Sequence, residues 1–440
     1  MDPRGLFRFI CALFKLSNML QISFIRENRT EVIAGLKRKY FKDAESIVDK
    51  VIGIDQQRRD TQRQLDDILA QSNAKAKEIG QLMKSGQKEA AEEAKAVTAG
   101  LKQKAKELED KLEVLEGELN DTLVKLPNLP HASVPEGRTA EDNLVVFEHG
   151  TTPALHEGAL PHWELIKKFD IIDFELGAKL TGAGFPVYKG KGARLQRALI
   201  NFFLDEALKA GYAEVQPPIL VNPESGFATG QLPDKEGQMY FVSADNYYLI
   251  PTAEVPITNI YRDVIVKEED LPVKNVGYTP CFRREAGSWG ADVRGLNRLH
   301  QFDKVEIVQI VHPDFSYQAL DNMVDHVREL LYKLGLQFRV LRLCGGDMSF
   351  NSALTYDFEV YSAAQKRWLE VSSVSNFETF QANRLKLRFK SEGKTKLLHT
   401  LNGSALALPR IVAALLENNQ DKDGIAIPEV LVPYTGFDRI

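Results

Sequence analysis

The sequence predicts an α+β protein with two parts: an antiparallel two-helix coiled-coil arm, and a larger domain built on an antiparallel sheet flanked by helices. Three observations support this prediction. Residues 43–123 contain no proline and are dense in Ala, Glu, Lys, Gln and Leu. Prolines at 127, 130 and 135 then interrupt the chain. Beyond them, period-two apolar patterns and amphipathic segments follow one another in no regular order, unlike the strict alternation that a parallel sheet requires.

The arm follows from the spacing of apolar residues between Asp43 and Leu123. In its second half they recur at alternating intervals of four and three, which keeps one narrow face toward a partner helix. The segment KSGQ at 84–87 is the only convincing break. We therefore expect two helices of about 40 residues, each roughly 60 Å long, that fold back on one another. The apolar positions are Leu101, Ala105, Leu108, Leu112, Leu115 and Leu119, and more weakly Leu65, Leu69, Ala76, Ile79 and Met83.

Two functions are open for such an arm when it is considered by itself. It could be a rod that holds two copies together, or it could bind a partner. Its basic residues do not decide between these functions, because charged residues on a helix often only solvate it. These residues are Arg58, Arg59, Arg63, Lys75, Lys77, Lys84 and Lys88.

The domain boundaries follow from composition. We expect an N-terminal extension over residues 1–18, an N-terminal domain with the arm over 19–125, a linker over 126–155 and the larger domain over 156–440. The prolines of the linker make a continuing helix untenable.

The first 18 residues resemble a targeting segment only superficially. Arg8 interrupts their short apolar run, Asp2 precedes it, and no small-residue cleavage site follows. A secretory signal needs an uninterrupted apolar stretch and such a site. We expect Met19 to be the start of the protein proper.

Composition excludes several classes of protein. A formal net charge of -5 argues against a general electrostatic binder of nucleic acid, so any such contact must come from a local basic patch. Cys11, Cys281 and Cys344 are too few and too scattered for a disulfide framework, and no Cys or His pair has zinc-finger spacing. No apolar run reaches the roughly 18 residues that a membrane span needs. We expect a cytoplasmic protein.

A cluster of arginines stands out against this negative charge. The stretch CFRREAGSWGADVRGLNRLHQF, residues 281–302, contains four arginines and a single glutamate, Glu285. Guanidinium groups suit bidentate binding of phosphate. We therefore expect an anionic ligand here. The arginines are Arg283, Arg284, Arg294 and Arg298.

The run 277–311 predicts two strands joined by a polar loop. Alternation places Arg283 and Glu285 on one face of the first strand and Arg284 on the other. If the faces of the two strands coincide, a guanidinium, an aromatic ring and a carboxylate lie in one line, with the carboxylate about 13 Å from the ring. These three groups could bind the phosphate, the base and the amine of ligands that lie along the same line. The alternative is a cross-strand ladder of salt bridges on a solvated face. The returning strand carries Arg298, His300, Phe302, Lys304 and Glu306 on one face.

His300 has two readings. It lies on this face in a position suited to a general base, but the sequence favours a structural histidine with satisfied hydrogen bonds over a base. No histidine has metal-ligand spacing.

Three segments of the chain resemble the three motifs of class II aminoacyl-tRNA synthetases. GYAEVQPPIL at 211–220 resembles the first, FRRE at 282–285 the second, and NGSALALPRIVAALLEN at 402–418 the third. The first motif includes Pro218, which these enzymes use at a dimer interface, so the resemblance implies a homodimer.

Further segments are similar to the seryl-tRNA synthetase family of the bacterial type. They are TAEVP at 252–256, RGLNRLHQFDKVE at 294–306 and LEVSSVSNFETFQANR at 369–384. The similarity begins at MLQISFIRENRTEVI, residues 19–33, includes the arm and continues to the C-terminal residues. In this family the arm holds the long variable arm of the tRNA, so the resemblance favours a binding arm over a rod.

The resemblance implies a role in ATP binding for each matching residue. Arg283 would hold the α-phosphate, Glu285 the adenine side and Arg410 the γ-phosphate, while Phe302 would stack on the adenine. Arg283, Glu285 and Arg410 are the implied catalytic residues. The implied ATP site comprises Arg283, Arg284, Glu285, Phe302, Glu370, Val371, Ser372, Ser373 and Arg410.

It likewise implies a serine pocket and a Mg²⁺ site. Glu306 would take the ammonium of serine, and Ser404 would lie near the hydroxyl. Glu370 and Ser373 would ligate the metal. The implied serine pocket comprises Thr252, Ala253, Glu254, Glu306 and Ser404.

Two local features follow from these assignments. Glu370 and Ser373 are three apart and share no face of a regular strand, so we expect a bulge or a strand end near Ser372. Proline inside a helix costs about 3 kcal/mol, so we expect a helix to kink or begin near Pro409. Ala405 stands where many members of the family have glycine.

The implied function is ligation of serine to tRNA. ATP would activate serine to seryl-adenylate with Mg²⁺, and the seryl group would pass to the 3′ end of tRNA(Ser), with tRNA(Sec) as a further acceptor. Two alternatives stay open: a paralogue that loads an activated amino acid onto a carrier protein, and a non-catalytic tRNA-binding coiled-coil protein. A tRNA charging assay separates the first from the synthetase.

Overall fold

The computed structural model describes residues 20–234, 236–285 and 294–440. The expected extension over residues 1–18 therefore lies outside the described residues. The chain divides into two compact units. One is Phe41–Pro127 together with the residues up to Lys37, and the other is Arg38–Tyr40 together with Asn128–Ile440.

The first unit consists of helices. The two long helices contain 41 and 36 residues. Between them Gly86 has φ +75°, a conformation that glycine adopts without strain. The long helices pack along each other as an antiparallel pair, and an ion pair of 2.9 Å joins Lys50 to Glu118 near the end remote from the turn. The predicted arm is confirmed. The helices are α1 (Ile22–Glu27), α2 (Arg29–Arg38), α3 (Ala44–Lys84) and α4 (Lys88–Leu123).

The apolar face predicted for α4 packs on α3, whereas the apolar face predicted for α3 is partly wrong. Leu65 packs in the interior as expected, whereas Leu69 and Met83 are 41% and 51% exposed. The apolar pattern misses small polar residues, and Thr61 and Ser72 are buried in this face. The interior of the arm contains Leu65, Ile68, Ala105 and Leu108, with Leu101 and Leu112 packed against them.

The second unit is built on a sheet of eight strands in the order β1-β11-β12-β13-β16-β10-β9-β4, whose ranges follow. All neighbouring pairs are antiparallel except β4 with β9. This confirms the predicted antiparallel sheet. The strands are β1 (Leu144–His149), β4 (Ala213–Glu214), β9 (Val273–Phe282), β10 (Gln301–Val311), β11 (Phe338–Arg342), β12 (Leu354–Ser362), β13 (Arg367–Asn376) and β16 (His399–Ala407).

Within its described residues, this unit also has ten short strands that form smaller sheets. Their pairings are β2 with β3, β5 with β7 and β7 with β6, β14 with β15 and with β8, and β17 with β18. The ranges are β2 (Ile172–Asp173), β3 (Val187–Tyr188), β5 (Leu220–Val221), β6 (Phe241–Val242), β7 (Tyr247–Leu249), β8 (Ile265–Val266), β14 (Arg388–Ser391), β15 (Lys394–Leu397), β17 (Gln420–Asp421) and β18 (Gly424–Ile425).

Helices complete the second unit. None of the helices within the described ranges combines the length and the apolar character needed to cross a bilayer. The helices are α5 (His162–Lys168), α6 (Phe174–Leu180), α7 (Gly190–Lys209), α8 (Pro223–Thr229), α9 (Glu254–Asn259), α10 (Ser316–Lys333), α11 (Thr379–Leu385), α12 (Leu408–Asn418) and α13 (Val432–Thr435).

Strand β10 lies inside the sheet and is buried from Lys304 to Val311. Side chains alternate between its two faces. Val305 and Ile307 point into the main apolar core, which also contains residues of α10. The opposite face carries Lys304 and Glu306, which are equally buried. Buried charged residues are rare unless they are paired, so this face of β10 marks the site.

Candidate active site

The implied site residues lie on neighbouring strands of the large sheet and on the segments that adjoin them. Phe302 and Glu306 are on β10, Ser404 is on β16, and Glu370 and Ser373 are on β13. Strand β16 lies between β13 and β10, and Glu306 is directly opposite Ser404. The sheet thus brings together Glu306 and Ser404, which are 98 positions apart in the chain.

Arg283 and Phe302 meet at the end of β9. The guanidinium carbon of Arg283 lies 5.2 Å from the centre of the Phe302 ring. Its Nε donates a hydrogen bond of 3.3 Å to the carbonyl of Pro251. A guanidinium over an aromatic face is a favourable arrangement. The guanidinium of Arg283 and the ring of Phe302 therefore lie together, as strand alternation predicts.

The predicted face of Glu285 is not observed. Strand β9 ends at Phe282, and Glu285 has φ +49°, so strand alternation does not extend to it. Its carboxylate instead accepts a hydrogen bond from Nε of Arg298. The next residue before it, Arg284, donates its backbone N–H to the carbonyl of Gln238 at 2.8 Å.

The alternative of a salt-bridge ladder on a solvated face is wrong for β10. The side chains of Lys304 and Glu306 are only 8% and 2% exposed, and their charged atoms are 2.6 Å apart. Removing two charges from water is expensive unless they pair closely. Such a pair points to a pocket rather than to a solubilising surface.

The charged pair is the centre of a polar cluster. Nζ of Lys304 also donates to Oγ1 of Thr252 at 2.9 Å. Oγ of Ser404 donates to Oε2 of Glu306 at 3.3 Å. Ala253, next to Thr252, is fully buried. Four of the five residues of the implied serine pocket are thus in or next to one cluster, and the fifth is Glu254.

Glu254 is a second buried carboxylate in this region. Oε1 accepts a hydrogen bond of 2.6 Å from Nε2 of Gln381. Gln381 in turn accepts one of 2.7 Å from Oγ1 of Thr400, which fixes its amide. Burial, and next the charge of Glu306, raise the pKa of the Glu254 carboxyl to about 7. The two carboxylates together hold more negative charge than Lys304 compensates, which favours a cationic ligand.

Glu370 and Ser373 are brought to one face by a bulge. Glu370 pairs with Glu359 of β12, whereas Ser372 pairs with Phe358, so Val371 is an extra residue on β13. The expected bulge near Ser372 is confirmed. Val371 and Ser372 are buried, and Ser372 donates from Oγ to the carbonyl of Ser404 at 2.6 Å.

The oxygen donors on this face fit Mg²⁺. Asp357 lies opposite Ser373, and Oδ1 of Asp357 is buried and has no hydrogen-bond partner among the residues that the structure describes. Burial, followed by the charge of Glu370, raises the pKa of the Asp357 carboxyl. No three Asp, Glu, His or Cys side chains converge as a closed metal site within the described residues. Mg²⁺ typically binds through one or two carboxylates together with substrate phosphates, and Glu370 and Asp357 supply carboxylates of this kind.

Arg410 lies at the start of α12. This helix begins at Leu408 with Pro409 in its first turn, where a missing N–H does no harm, so the predicted helix start is confirmed. Nη1 donates to the carbonyl of Glu370 at 2.6 Å and is 3.8 Å from Oε1 of that residue. Nε donates to the carbonyl of Asn297 at 3.2 Å. Arg410 is therefore directed toward the same edge as the implied metal ligands.

His300 has partners that suit a structural role. Its Nδ1 shares a hydrogen bond of 2.9 Å with the hydroxyl of Tyr240, and its ring stacks on Phe185 at 5.5 Å. Its backbone N–H donates to the carbonyl of Gly184 at 2.9 Å. These contacts support the structural reading over that of a base.

Sequence reasoning missed several residues of the site. Lys304 was placed on the correct face without a role, although alternation with Phe302 and Glu306 was a usable signal. Gln381 contacts Glu254, although the two residues are 127 positions apart in the chain, and no local sequence pattern predicts such a contact. Asp357 is visible only once the strand pairing is known.

Two family profiles match the chain. Residues 19–130 match the seryl-tRNA synthetase N-terminal domain. Residues 240–419 match the tRNA synthetase class II core domain for glycine, histidine, proline, serine and threonine. These ranges include the arm and every implied site residue.

Relatives and solved structures agree with the profiles. The chain is 51% identical to the serine–tRNA ligase of Salinibacter ruber, over 96% of this chain and 99% of the relative. It superimposes on the seryl-tRNA synthetase of Pyrococcus horikoshii complexed with ATP with a TM-score of 0.90 and 33% identity, covering 96% and 99% of the two chains. The cytoplasmic serine–tRNA ligase of Naegleria fowleri in complex with AMP gives 0.85 and 26%, covering 96% and 98%. The chain belongs to the seryl-tRNA synthetase family of class II aminoacyl-tRNA synthetases.

Proposed function

We propose that the protein activates serine with ATP and transfers the seryl group to the 3′ end of tRNA(Ser). One observation carries the proposal: two buried carboxylates, Glu254 and Glu306, lie near the Arg283–Phe302 pair, and Glu306 is on the same strand as Phe302. The pocket suits a small amino acid with a free ammonium, and the arginine and the ring suit a nucleotide.

Four of the implied ATP residues form two groups, one for the adenine and one for the phosphates. Phe302 supplies a ring on which adenine stacks, and Glu285 adjoins the adenine. Arg283 and Arg410 supply positive charge to the α- and γ-phosphates. In the structure Arg283 lies over Phe302 and Arg410 lies against Glu370, so each arginine has a partner that phosphate oxygens can replace.

Glu370 and Ser373 would hold Mg²⁺, with the buried carboxylate of Asp357 opposite Ser373. When bound, the metal neutralises phosphate charge. The chain's own contribution is orientation, because the bulge at Val371 directs both oxygen donors to the face toward which Arg410 points.

The reaction needs no covalent intermediate on the enzyme. An oxygen of the serine carboxylate bonds to the α-phosphorus of ATP, and the bond from that phosphorus to pyrophosphate breaks. A hydroxyl of the terminal tRNA adenosine then attacks the seryl carbonyl, and AMP leaves. Catalysis comes from positioning in the pocket and from the charge of Arg283 and Arg410.

Selection of serine follows from size and hydrogen bonding. Glu306 takes the ammonium, and Ser404, whose hydroxyl is 3.3 Å from Glu306, lies beside the substrate hydroxyl. Alanine leaves buried polar groups without partners, which is the costly direction of error. Threonine has to be excluded by the wall of the pocket.

Pyrophosphate exchange and tRNA charging test the proposal together. We expect serine-dependent exchange of pyrophosphate into ATP, and serine-dependent charging of tRNA(Ser). Exchange with transfer to a carrier protein instead of tRNA would favour the paralogue. Binding of tRNA without exchange would favour a non-catalytic protein.

The arm is the part we assign to tRNA. Lys77, Lys84 and Lys88 have no ion-pair partner in the part of the chain that the structure describes, so their charges are free for phosphates. Recognition by charge and shape accepts any RNA that presents the same shape. The proposal therefore includes tRNA(Sec) as a second acceptor, which charging of purified tRNA(Sec) tests.

We also propose a homodimer in the cytoplasm. Pro218 and Leu220 of the first motif are exposed, Leu220 by 42%, next to the edge strand β4. A second copy would cover them. Light scattering should show a dimer, and Leu220→Arg should shift it toward a monomer. Cys281 and Cys344 are free thiols, which suits a reducing compartment.

A further inference from the structure

We infer that His162 is a positioning residue that couples the helix of Arg410 to the chain segment before Arg298. The inference rests on the proposed function, since it concerns how the ATP-binding arginines are held. His162 is the first residue of α5, its side chain is fully buried, and the implied site does not include it.

The hydrogen bonds of His162 fix its tautomer. The backbone N–H of Leu296 donates to Nε2 at 2.8 Å, so Nε2 carries no proton. The proton is then on Nδ1, which donates to Oε1 of Glu417 at 2.6 Å. The backbone N–H of His162 donates to the same oxygen at 2.8 Å. The ring thus connects the peptide group of Leu296 to the carboxylate of Glu417.

Glu417 is on the same helix as Arg410. The two residues are seven positions apart on α12, or about two turns, so they lie on one face. Arg410 donates from Nε to the carbonyl of Asn297. Helix α12 therefore holds two adjacent residues: Arg410 bonds directly to Asn297, and Glu417 bonds to His162, which in turn bonds to Leu296.

A second path closes the network. Nδ2 of Asn297 donates to Oε1 of Gln365 at 3.0 Å, and Nε2 of Gln365 donates to Oε1 of Glu417 at 2.9 Å. Ser362 donates to the other oxygen of Glu417. A carboxylate with this many donors has little freedom to rotate, so it is a fixed point for the ring of His162.

Gly295 shows how closely the segment approaches the ring. Its φ is +66°, and a Cβ at this position would lie 2.2 Å from Nε2 of His162. Only glycine permits both this conformation and this contact. The glycine of RGLN is thus explained by His162, which indicates that the segment is seated on the histidine.

The functional consequence is specific to ATP. Arg410 contacts Asn297 with one guanidinium nitrogen and Glu370 with another, so its direction depends on where Asn297 is held. Loss of the His162 link frees Leu296 and with it one anchor of Arg410. The serine pocket around Glu306 shares none of these hydrogen bonds. ATP binding should therefore weaken while serine binding does not.

Two substitutions and one control test the inference. His162→Phe keeps an aromatic ring and removes the ring's hydrogen bonds to Leu296 and Glu417. His162→Gln retains an acceptor that can reach Leu296. His399→Asn is the control, because His399 is also mostly buried and bonds to Ser316 Oγ at 2.8 Å on another part of the sheet. Serine-dependent pyrophosphate exchange gives KM for ATP and for serine, calorimetry gives Kd for ATP, and thermal melting gives Tm.

We expect His162→Phe to raise Kd and KM for ATP tenfold or more, with KM for serine within twofold of wild type. His162→Gln should recover part of the loss. His399→Asn should lower Tm without changing ATP affinity. Unchanged ATP affinity in His162→Phe would overturn the inference, as would equal losses for ATP and serine. If His162→Phe does not fold, the same comparison is made with His162→Gln: a larger rise in KM for ATP than in KM for serine supports the inference, and equal rises overturn it. Absence of exchange in the wild type would instead reject the proposed function.

Discussion

Nζ of Lys304 lies 2.6 Å from Oε2 of Glu306, inside a pocket where both side chains are almost fully buried. A serine ammonium that binds Glu306 therefore meets a carboxylate that already has one cationic partner. A second carboxylate, Glu254, lies nearby, so that one substrate ammonium balances the charges of the three side chains when Glu254 is ionised.

Glu306→Gln should raise KM for serine tenfold or more and change KM for ATP by less than threefold. A desolvated, charge-assisted hydrogen bond is worth about 1.5–3 kcal/mol, which corresponds to at least this factor. Pyrophosphate exchange at varied serine and varied ATP measures both constants.

The same substitution leaves Lys304 without its partner. Removal of one member of a buried pair typically costs about 3–5 kcal/mol of stability. Urea denaturation should therefore show a loss for Glu306→Gln that a second change, Lys304→Met, partly restores. Normal serine activation by Glu306→Gln would reject the assignment of Glu306 to the ammonium.

Serine binding should release protons near neutral pH. The pKa of Glu254 is raised to about 7 in the empty pocket, so about half of the molecules carry this proton at pH 7. An arriving ammonium favours the ionised carboxylate, and the proton leaves. Serine affinity should accordingly rise as the pH increases toward 7 and then level off.

Calorimetry in buffers with different ionisation enthalpies measures this release. We expect about half a proton per serine at pH 7, from the titration of a single group. Glu254→Gln should abolish the buffer dependence. A wild-type enthalpy that is the same in phosphate and in Tris would contradict the prediction.

Ser373→Ala and Glu370→Gln should raise the Mg²⁺ concentration for half-maximal exchange by tenfold or more, because both remove an oxygen donor from the proposed metal face. Electron paramagnetic resonance of Mn²⁺ in the presence of ATP measures metal binding directly. Glu359→Gln is a matched control. Glu359 pairs with Glu370 in the sheet, but its carboxylate is held by Nε of Arg339 at 2.6 Å. A comparable loss in the control would argue for general electrostatics instead of a metal site.

The basic residues of the arm should separate into two classes. Arg58 and Arg59 both bond to Asp55, whose side chain is only 1% exposed, so they stabilise the arm. Arg58→Gln should lower the free energy of unfolding by about 1.5 kcal/mol, the lower end of the range for a hydrogen bond to a charged group, because Arg58 is partly exposed. Urea denaturation measures this loss.

Lys77→Gln, Lys84→Gln and Lys88→Gln should not affect stability. Each should instead reduce tRNA affinity and lower the salt dependence of binding by about one unit, if it contacts one phosphate. Filter binding at several salt concentrations measures the slope. Unchanged slopes for all three would remove these lysines from the RNA surface.

The fold and the placement of several site residues could be predicted because they depend on local sequence patterns. Absence of proline and the four-three spacing defined α3 and α4, and alternation placed Phe302, Lys304 and Glu306 on one face. The spacing of Glu370 and Ser373 required a bulge, which the pairing of β12 with β13 shows.

What could not be predicted depends on contacts between distant positions or on single backbone angles. His162 and Glu417 are 255 positions apart. Strand β9 ends at Phe282, and Glu285 has a positive φ, which its own residue type does not favour. The face of α3 was misjudged because Thr61 and Ser72 occupy interior positions that an apolar pattern does not count.

Shortening the arm should separate the two steps of the reaction. The interior cluster of Leu65, Ile68, Ala105 and Leu108 consists of arm residues alone. Replacement of residues 73–100 by a short Gly/Ser turn retains this cluster and removes about 20 Å from the tip, at a rise of roughly 1.5 Å per residue. The removed part contains Lys77, Lys84 and Lys88 but no residue of the implied serine or ATP sites.

Serine-dependent pyrophosphate exchange by the shortened protein should therefore stay within a few fold of wild type. Charging of tRNA(Ser) should fall at least a hundredfold through a higher KM for tRNA, since phosphate contacts supply much of the affinity for RNA. Efficient charging of tRNA(Ser) by the shortened protein would favour the alternative in which the arm is a structural rod. Loss of exchange in a protein that still melts cooperatively would show that adenylate formation depends on the arm.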